Sequence, residues 1–386
     1  MSVRLLQGEA IFDGKNLLPG DFVLVVNENG EISDLRPAKN EDQNIEKWPG
    51  ILVPGMVNTH CHLELSHMKG VVPRNTGMVN FLLTIVQQRV AEQADILKAA
   101  GDAAQIMFDQ GISVVGDICN TGIIQTIARK SPLRFYHFVE VIGFDPSVAE
   151  NRFNFCRNIA DGYSTFSPSS VVPHAPYSVS PTLYQLINQQ IDSSVLSIHH
   201  AESKAEQDFF RKRESDFDRL HQFIKTDLSQ HIVAENASSV RSFLSRFTNK
   251  KILLVHNVTI SEADLIYIRE LEKENNLEVY FAICIRANEY IGNGFPDIEL
   301  LFRYYPDRIT IGTDSLASNE DVNLMHELIL LKKLYPAITD LQWLKTITIQ
   351  GAKALNYDQQ FGSFETGKKP GIVYVNFDQM RSERII

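Results

Sequence analysis

The chain has 386 residues, of which 44% are hydrophobic and 22% are charged, and its formal net charge is -10. These values are typical of a folded globular protein and exclude a disordered chain. The negative charge argues against a nucleic-acid partner, because no basic surface is available to neutralise a phosphate backbone. The length accommodates a barrel of about 250 residues together with a smaller domain.

The cysteines and the apolar runs bear on the cellular compartment of the protein. The four cysteines, Cys61, Cys119, Cys156 and Cys284, are scattered without a CxxC pair, so neither a zinc knuckle nor a disulfide framework is predicted. The first residues, MSVRLLQGEAIFDGKN, lack the apolar core of a signal peptide. No stretch approaches the roughly 20 apolar residues that span a bilayer. We therefore expect a cytoplasmic protein with no membrane partner.

Both ends of the chain consist of short apolar stretches separated by turns. Residues 1–53 contain RLLQGEAIF, DFVLVV and the turn NENGEI, and residues 360–386 contain GSFETGKKPGIVYVNF. Such stretches, interrupted by glycines, predict short strands. We expect the two ends to form one small β-sandwich domain.

The middle of the chain, residues 54–359, alternates apolar runs of strand length with longer amphipathic segments. This pattern is typical of repeated βα units and a parallel sheet. The predicted strands are 55–60, 112–117, 135–141, 171–175, 195–199, 252–256, 278–283 and 309–312. Apolar residues spaced by three and four predict core-facing helices between them. The predicted fold class is therefore α/β, with a (β/α)8 TIM-like barrel.

Polar side chains follow the first predicted strand, at the end where functional groups of such barrels gather. His60 and His62 differ by two positions, so both side chains point to one face of the strand while Cys61 points away. One metal ion could bind both imidazoles. Taken alone, an HxH pair is equally well explained as two ordinary core histidines. The residues at the other strand ends therefore decide between a metal site and a packed core.

Three further strand ends carry similar groups. His200 and Glu202 repeat the spacing of two, and we expect His199 between strand and helices to point away from the site. His256 ends KILLVHN, and Asp314 follows ITIGT, although an aspartate there could also cap the next helix. Imidazoles and a carboxylate on different strand ends are the ligands that a borderline divalent ion such as zinc prefers.

Five motifs carry a family resemblance: NTHCHLELS, HAPYS, HHAES, VHN and GTDSLAS. They occur in the order seen in the amidohydrolase superfamily, and the chain resembles its deaminase and chlorohydrolase-like branch. The resemblance covers nearly the whole chain, since the terminal segments are similar to the split β-sandwich that accompanies this barrel. HLELS is similar to the aminodeoxyfutalosine deaminase-like group of that branch.

The resemblance implies a site for one divalent metal ion, zinc or iron(II). Its ligands would be His60, His62, His200 and Asp314. A single ion is implied because VVPHAPYS has no lysine where binuclear members keep a carbamylated lysine. A metal-bound hydroxide would attack the carbon that bears an exocyclic amino group. Asp314 would accept the proton of the metal-bound water, and His256 would hold and polarise the resulting hydroxide. Glu202 would carry protons to the substrate.

Five more residues are candidates for substrate binding: Glu64, Glu140, His174, Arg286 and Asn288. His174 stands in a motif that resembles a substrate-contacting one, and Glu140 ends the third predicted strand. Glu64 continues the alternation from His62, but a helix-start carboxylate or a loop salt bridge is an equal alternative. Arg286 could instead form a surface salt bridge. Asn288 matches the asparagine of a CPxSN-like turn from which the proline is absent here.

The sequence thus predicts a mononuclear aminohydrolase that deaminates an aminopurine nucleoside or a related heterocycle, with aminodeoxyfutalosine as one candidate. An amidohydrolase or chlorohydrolase acting on another cyclic C–N or C–Cl substrate is the alternative. A non-catalytic scaffold that keeps the fold is less favoured, because the set of predicted ligands is complete. The expected partner is a small-molecule substrate, and a homodimer is common among the families that the chain resembles.

Overall fold

The computed structural model describes residues 3–191, 194–211, 215–224 and 238–386. The strands in these residues are Val3–Phe12 (β1), Leu17–Pro19 (β2), Phe22–Asn27 (β3), Ile32–Pro37 (β4), Ile45–Pro54 (β5), Met56–Cys61 (β6), Ile112–Cys119 (β7), Arg134–Val141 (β8), Ser169–Pro173 (β9), Val195–His200 (β10), Lys251–His256 (β11), Glu278–Ile283 (β12), Ile309–Ile311 (β13), Ile372–Asn376 (β14) and Arg381–Arg384 (β15).

The α-helices are Met78–Gln88 (α1), Gln93–Asp109 (α2), Gln125–Lys130 (α3), Ala149–Ser164 (α4), Pro181–Asn188 (α5), Lys204–Phe210 (α6), Phe217–Ile224 (α7), Ser239–Phe243 (α8), Glu262–Glu274 (α9), Ile285–Ile291 (α10), Ile298–Tyr304 (α11), Leu324–Leu334 (α12), Asp340–Thr346 (α13) and Ile349–Ala354 (α14). Short 3-10 helices lie at Leu63–Met68, Pro146–Val148, Pro176–Ser178 and Leu244–Arg246. From β6 to β13 a helical segment follows each strand, as the sequence pattern predicts.

Strands β6 to β13 form two four-stranded parallel sheets. One sheet has the order β6-β7-β8-β9 and the other has the order β10-β11-β12-β13. Each of the eight predicted strands overlaps one of these strands. Every residue of β6, β7 and β10 is buried, as expected for parallel strands that are covered on both faces. The α/β fold with parallel sheets is therefore confirmed.

The two parallel sheets approach each other at both edges. At one edge, the carbonyl oxygen of His60 accepts 3.0 Å hydrogen bonds from the backbone N–H groups of Thr313 and Asp314. At the other edge, the N–H group of His199 donates to the carbonyl oxygen of His174 at 2.9 Å. The carboxyl ends of strands from both sheets therefore surround one centre. Closure of the eight strands into a complete barrel stays a prediction.

Helix α2 shows how the helices bury their apolar faces. Its buried residues, Ala100, Ala103, Ala104 and Met107, recur at spacings of three and four and so form one stripe. This stripe belongs to the main apolar core, which also contains the fully buried Trp343 of α13. In the part of the chain that the structure describes, no helix is both long and apolar enough to cross a membrane.

The two chain ends contribute to one seven-stranded sheet of order β15-β14-β5-β1-β3-β4, in which β2 pairs with β1. Strand β5 joins the ends, because it pairs parallel with β1 and antiparallel with β14. Leu6, Leu24, Leu52 and Ile372 lie in its apolar core. Among the described residues these strands form a single sheet. The predicted β-sandwich, and its separation from residues 54–359 as a domain, stay predictions.

Gly312 allows the end of β13 to approach β6 closely. A Cβ atom at this position would lie 2.8 Å from both the Cβ and the carbonyl oxygen of His60, and 3.0 Å from Cys284 Sγ. Because the backbone of β6 is held in its sheet, it cannot move away without breaking its own contacts. Only glycine therefore fits at this junction.

We predict that Gly312→Ala destabilises the protein by about 1–3 kcal/mol, the usual cost of forcing a methyl group into a packed core. Gly101→Ala is the matched control, since a Cβ on this helical glycine meets only Ile127 Cδ1 at 3.5 Å. The control should be neutral or should stabilise α2 by up to about 1 kcal/mol. Urea unfolding of both metal-free variants measures the difference, and equal stability would contradict the close approach.

Candidate metal centre

Strand β6 carries two histidines on one side. His60 is fully buried and His62 is 9% exposed, whereas Cys61 between them packs into the main apolar core. The Nε2 atoms of the two histidines lie 3.2 Å apart. The alternation of side chains along the strand therefore brings both rings to one point.

Asp314 lies beside this pair, just beyond the end of β13. Its Oδ1 atom is 3.5 Å from His60 Nε2 and 3.2 Å from His62 Nε2. Its Oδ2 atom accepts a 2.6 Å hydrogen bond from the Ser318 hydroxyl, which fixes the orientation of the carboxylate. Although burial raises the pKa of Asp314, the hydrogen bonds from His60 and His62 lower it well below its usual range. The carboxylate is therefore ionised at neutral pH.

His199 is the third imidazole of this centre. A nitrogen of His199 lies with nitrogens of His60 and His62 and an oxygen of Asp314 in a group whose atoms are all within 4.8 Å of one another. The His199 Nδ1 atom is 2.8 Å from the carbonyl oxygen of His174 and 3.2 Å from Glu140 Oε1. Nδ1–H therefore points to these acceptors and leaves Nε2 for the centre.

The pair of His199 and Glu140 resembles the carboxylate and histidine pairs that orient metal ligands in proteins. Although burial lowers the pKa of His199, the hydrogen bond and charge of Glu140 raise it to about 10. Burial raises the pKa of Glu140, but His174 and His199 lower it by more, so the pKa lies below its usual value. The carboxylate therefore stays ionised. Binding of a metal ion at His199 would therefore release a proton.

The position of His200 corrects the sequence prediction. The ring lies on the opposite side of β10, where Nδ1 is 3.0 Å from Asn257 Oδ1 and the ring packs against Phe243. Strict alternation would place His200 and Glu202 on one face. Ala201 has a φ of 48°, however, and this left-handed residue turns Glu202 back toward the same centre as His199.

A sequence signal for His199 was available. His60 is the penultimate residue of β6, and His199 is the penultimate residue of β10. Comparison of equivalent strand ends would have favoured His199. The prediction instead relied on the spacing of two between His200 and Glu202, which assumes that the strand continues through Ala201.

Glu202 and His256 lie together at the edge of this centre. Glu202 Oε1 is 3.5 Å from His256 Nε2, and both side chains are buried. Burial, with smaller contributions from Asp314 and Glu206, raises the pKa of Glu202 to about 8, although His199 opposes the shift. Burial likewise lowers the pKa of His256 to about 3. At neutral pH Glu202 is therefore largely protonated, and His256 is neutral.

Asn288 fixes the tautomer of His256. The Nδ1 atom of His256 lies 2.9 Å from Asn288 Oδ1, so Nδ1–H donates to this acceptor. In the neutral ring the Nε2 atom then carries a lone pair, which faces Glu202. Asn288 therefore orients the imidazole of His256, and its predicted contact with substrate stays a prediction.

The cluster of His60, His62, His199 and Asp314 fits one divalent ion. The ligand atoms of His60, His62 and Asp314 lie 3.2–3.5 Å apart, and a His199 nitrogen lies within 4.8 Å of each, close enough for all four residues to bind one ion. Glu202 Oε2 and His256 Nε2 are buried without a hydrogen-bond partner among the described residues. A metal ion with a water or substrate beside it would supply those partners.

A cavity opens from this centre toward solvent. One wall is apolar and consists mainly of α1 and the short helix before it: Leu65, Met78, Phe81, Leu82, Ile85 and Val86. The other lining residues include Arg89, Asn120, Ser178 and the predicted substrate-binding residues Glu140 and His174. The α1 wall is not predictable from the sequence, because an amphipathic helix carries no signal for the side on which a cavity lies.

Two predicted substrate-binding residues, Glu64 and Arg286, do not line this cavity. The buried Glu64 carboxylate accepts hydrogen bonds from the N–H groups of Asn120 and Thr121, from the Thr121 hydroxyl and from Arg89. Arg286 pairs with Asp321 at 2.6 Å. For both residues, the structure corresponds to the salt-bridge alternative rather than to direct contact with a ligand in this cavity.

The fold and the centre define an α/β protein with a mononuclear metal site at the carboxyl ends of its parallel strands. Residues 51–385 match the amidohydrolase family, and the chain belongs to this family. Membership confirms the resemblance predicted from the five motifs. It also confirms the prediction of a hydrolase that acts on C–N bonds.

Named relatives of the chain include two deaminases. Aminodeoxyfutalosine deaminase of a Nitratiruptor species is 26% identical over 323 residues, covering 80% of this chain and 74% of the relative. A 5'-deoxyadenosine deaminase of Methanococcus maripaludis is 24% identical over 403 residues, covering 96% and 85%. The crystal structure of Helicobacter pylori aminofutalosine deaminase in complex with methylthio-coformycin matches with a TM-score of 0.77 and 20% identity, covering 97% and 92%. At 20% identity, this match with a crystal structure shows similarity of fold alone.

We predict that His199→Gln and His200→Gln affect metal binding differently. Loss of a residue that orients a metal ligand weakens binding by about 10- to 100-fold, and loss of the ligand itself should cost more. His199→Gln should therefore weaken zinc binding by more than about 100-fold, whereas His200→Gln should stay within about 10-fold of the wild type. Competition with a chromogenic zinc chelator measures both affinities. The reverse order would restore His200 as the ligand.

Proposed function

We propose that this chain is a mononuclear metal-dependent aminohydrolase that removes an exocyclic amino group from an aminopurine nucleoside or a related heterocycle. The observation that carries the proposal is the ligand cluster at the base of the cavity, with the buried carboxyl group of Glu202 beside it. Two named relatives are deaminases of adenine-bearing nucleosides, which supports this reaction over hydrolysis of an amide or a halide. Aminodeoxyfutalosine is the first candidate substrate.

His60, His62, His199 and Asp314 would hold the ion, which we propose to be zinc, with iron(II) as the alternative. Imidazole and carboxylate donors suit either metal. Such an ion supplies Lewis-acid activation of water, whose pKa it lowers from 15.7 to about 7. The proposal assumes that the eight parallel strands close into a barrel, which the hydrogen bonds at both sheet edges support.

Asp314 and His256 would prepare the attacking water. Asp314 is ionised and can accept a proton from the water, while Ser318 holds its second oxygen. His256 is neutral, and its Nε2 lone pair can accept a hydrogen bond from the same water because Asn288 occupies Nδ1. These two groups would orient one lone pair of the water oxygen toward the ring carbon that bears the amino group.

Glu202 would carry protons to the substrate. In its protonated form it can donate to the ring nitrogen next to the reacting carbon, so that the ring accepts electrons as the C–O bond forms. The Glu202 carboxylate that results can then receive the proton taken up by Asp314 and pass it to the amino group, which leaves as ammonia. As the carbonyl forms, the remaining hydroxyl proton would pass to Asp314 and from there return Glu202 to its protonated form. The carbonyl product and ammonia balance the substrate and one water.

A screen of aminopurine nucleosides for ammonia release tests the proposal, with metal content measured on the same sample. Adenosine, 5'-deoxyadenosine, 5'-methylthioadenosine and aminodeoxyfutalosine should be included together with a triazine chloride and a cyclic amide. We expect ammonia from at least one nucleoside and about one metal ion per chain. Turnover of the chloride or the amide without ammonia from any aminopurine would contradict the proposed reaction.

We predict that Asp314→Asn and Glu202→Gln both lower kcat by about 100-fold or more, because each removes a group that transfers a proton. They should differ in metal content. Asp314→Asn removes a charged ligand and should lose metal, whereas Glu202→Gln should retain close to the wild-type amount. Elemental analysis of both variants after dialysis measures this difference, and equal loss of metal would make Glu202 a ligand.

A further inference from the structure

The segment that carries Glu202 begins with a sharp turn. Ala201 follows β10 with a φ of 48°, in the left-handed region that is strained for most residues other than glycine. Without this turn the side chain of Glu202 would not face His256. Some interaction must therefore hold the turn in its strained form.

Glu206, on α6, makes that interaction. Its Oε1 atom accepts a 3.0 Å hydrogen bond from the N–H group of Ala201, and its Oε2 atom accepts a 2.8 Å hydrogen bond from the N–H group of Glu202. The hydroxyl group of Ser239 also donates to Oε1. The N–H group of Glu206 donates to the Ser203 hydroxyl at 3.2 Å, which caps the start of α6.

Both oxygens of this carboxylate are needed. The N–H groups of Ala201 and Glu202 are consecutive donors, and each binds a different oxygen of Glu206. A glutamine would offer one acceptor oxygen, and its amide N–H group would face a backbone N–H donor. Glu206 is fully buried, and burial raises its pKa, while the hydrogen bonds from Ser239, Glu202 and Ala201 oppose that shift.

We propose that Glu206 is a positioning residue that fixes the carboxyl group of Glu202 for proton transfer. This role rests on the proposed function, in which Glu202 carries protons to the substrate. Glu206 acts through the backbone of Glu202 and lies outside the residues that line the cavity. Its loss should lower proton transfer without removing the metal ion, since it contacts none of the candidate ligands.

The alternative is that Glu206 only stabilises the start of α6. Asp264 provides a matched control, because its carboxylate is also buried and accepts hydrogen bonds from the Ser261 N–H group, the Ser261 hydroxyl and the Ser238 hydroxyl. Asp264 lies at the start of α9 and is absent from the cavity lining. Asp264→Asn should thus lower the melting temperature while leaving kcat within about twofold of the wild type.

A crystal structure of Glu206→Gln tests the positioning without any substrate. We expect Ala201 to leave the left-handed region and the Glu202 carboxyl group to move away from His256. An unchanged turn in the variant would overturn the proposal, whatever reaction the protein catalyses. If Glu206→Gln does not fold, Glu206→Asp replaces it, because aspartate keeps two acceptor oxygens but cannot reach both N–H groups.

A double-mutant cycle then tests whether Glu206 acts through Glu202. Glu206→Gln should lower kcat by about 10- to 100-fold, as a small misplacement of a reacting group does, with KM and metal content close to those of the wild type. In the Glu202→Gln background the same change should lower kcat by less than about twofold. An equal loss in both backgrounds would overturn the proposal. If Glu202→Gln itself keeps full activity, the proposed function fails instead, and the crystal structure still decides the positioning.

Discussion

The metal centre depends on the junction between the ends of β6 and β13. The carbonyl oxygen of His60 accepts hydrogen bonds from the N–H groups of Thr313 and Asp314, and Gly312 lets the two backbones come this close. Because His60 supplies both the accepting carbonyl and an imidazole, the bonds that join the two sheets also fix the distance between His60 and Asp314. A change that weakens this junction should therefore also disturb the geometry of the metal site.

Strained backbone at three strand ends directs the catalytic candidates toward this centre. Ala201, His256 and Asp314 all have positive φ angles, of 48°, 73° and 56°. Each such residue costs about 1–3 kcal/mol, so neighbouring groups must hold it in place. Asn288 and Ser318 fix the side chains of His256 and Asp314, and we propose that Glu206 holds the backbone turn at Ala201.

The sequence predicted the elements whose signals are local. Apolar runs located the parallel strands, and the spacing of His60 and His62 placed both rings on one face of β6. The spacing of two between His200 and Glu202 favoured the wrong histidine, because the left-handed turn at Ala201 interrupts the alternation of side chains after β10. The partners of Asn288 and Glu64 also lie far away in the sequence, so no pattern could show that they orient other groups.

The most direct measurement of the central claim is an anomalous difference map of the zinc-loaded protein, collected above the zinc absorption edge. We predict one strong peak per chain, about 2.0–2.2 Å from His60, His62, His199 and Asp314. A peak bound by His200, a second peak of equal strength in the cavity, or a peak elsewhere in the chain would contradict the mononuclear centre described for this protein.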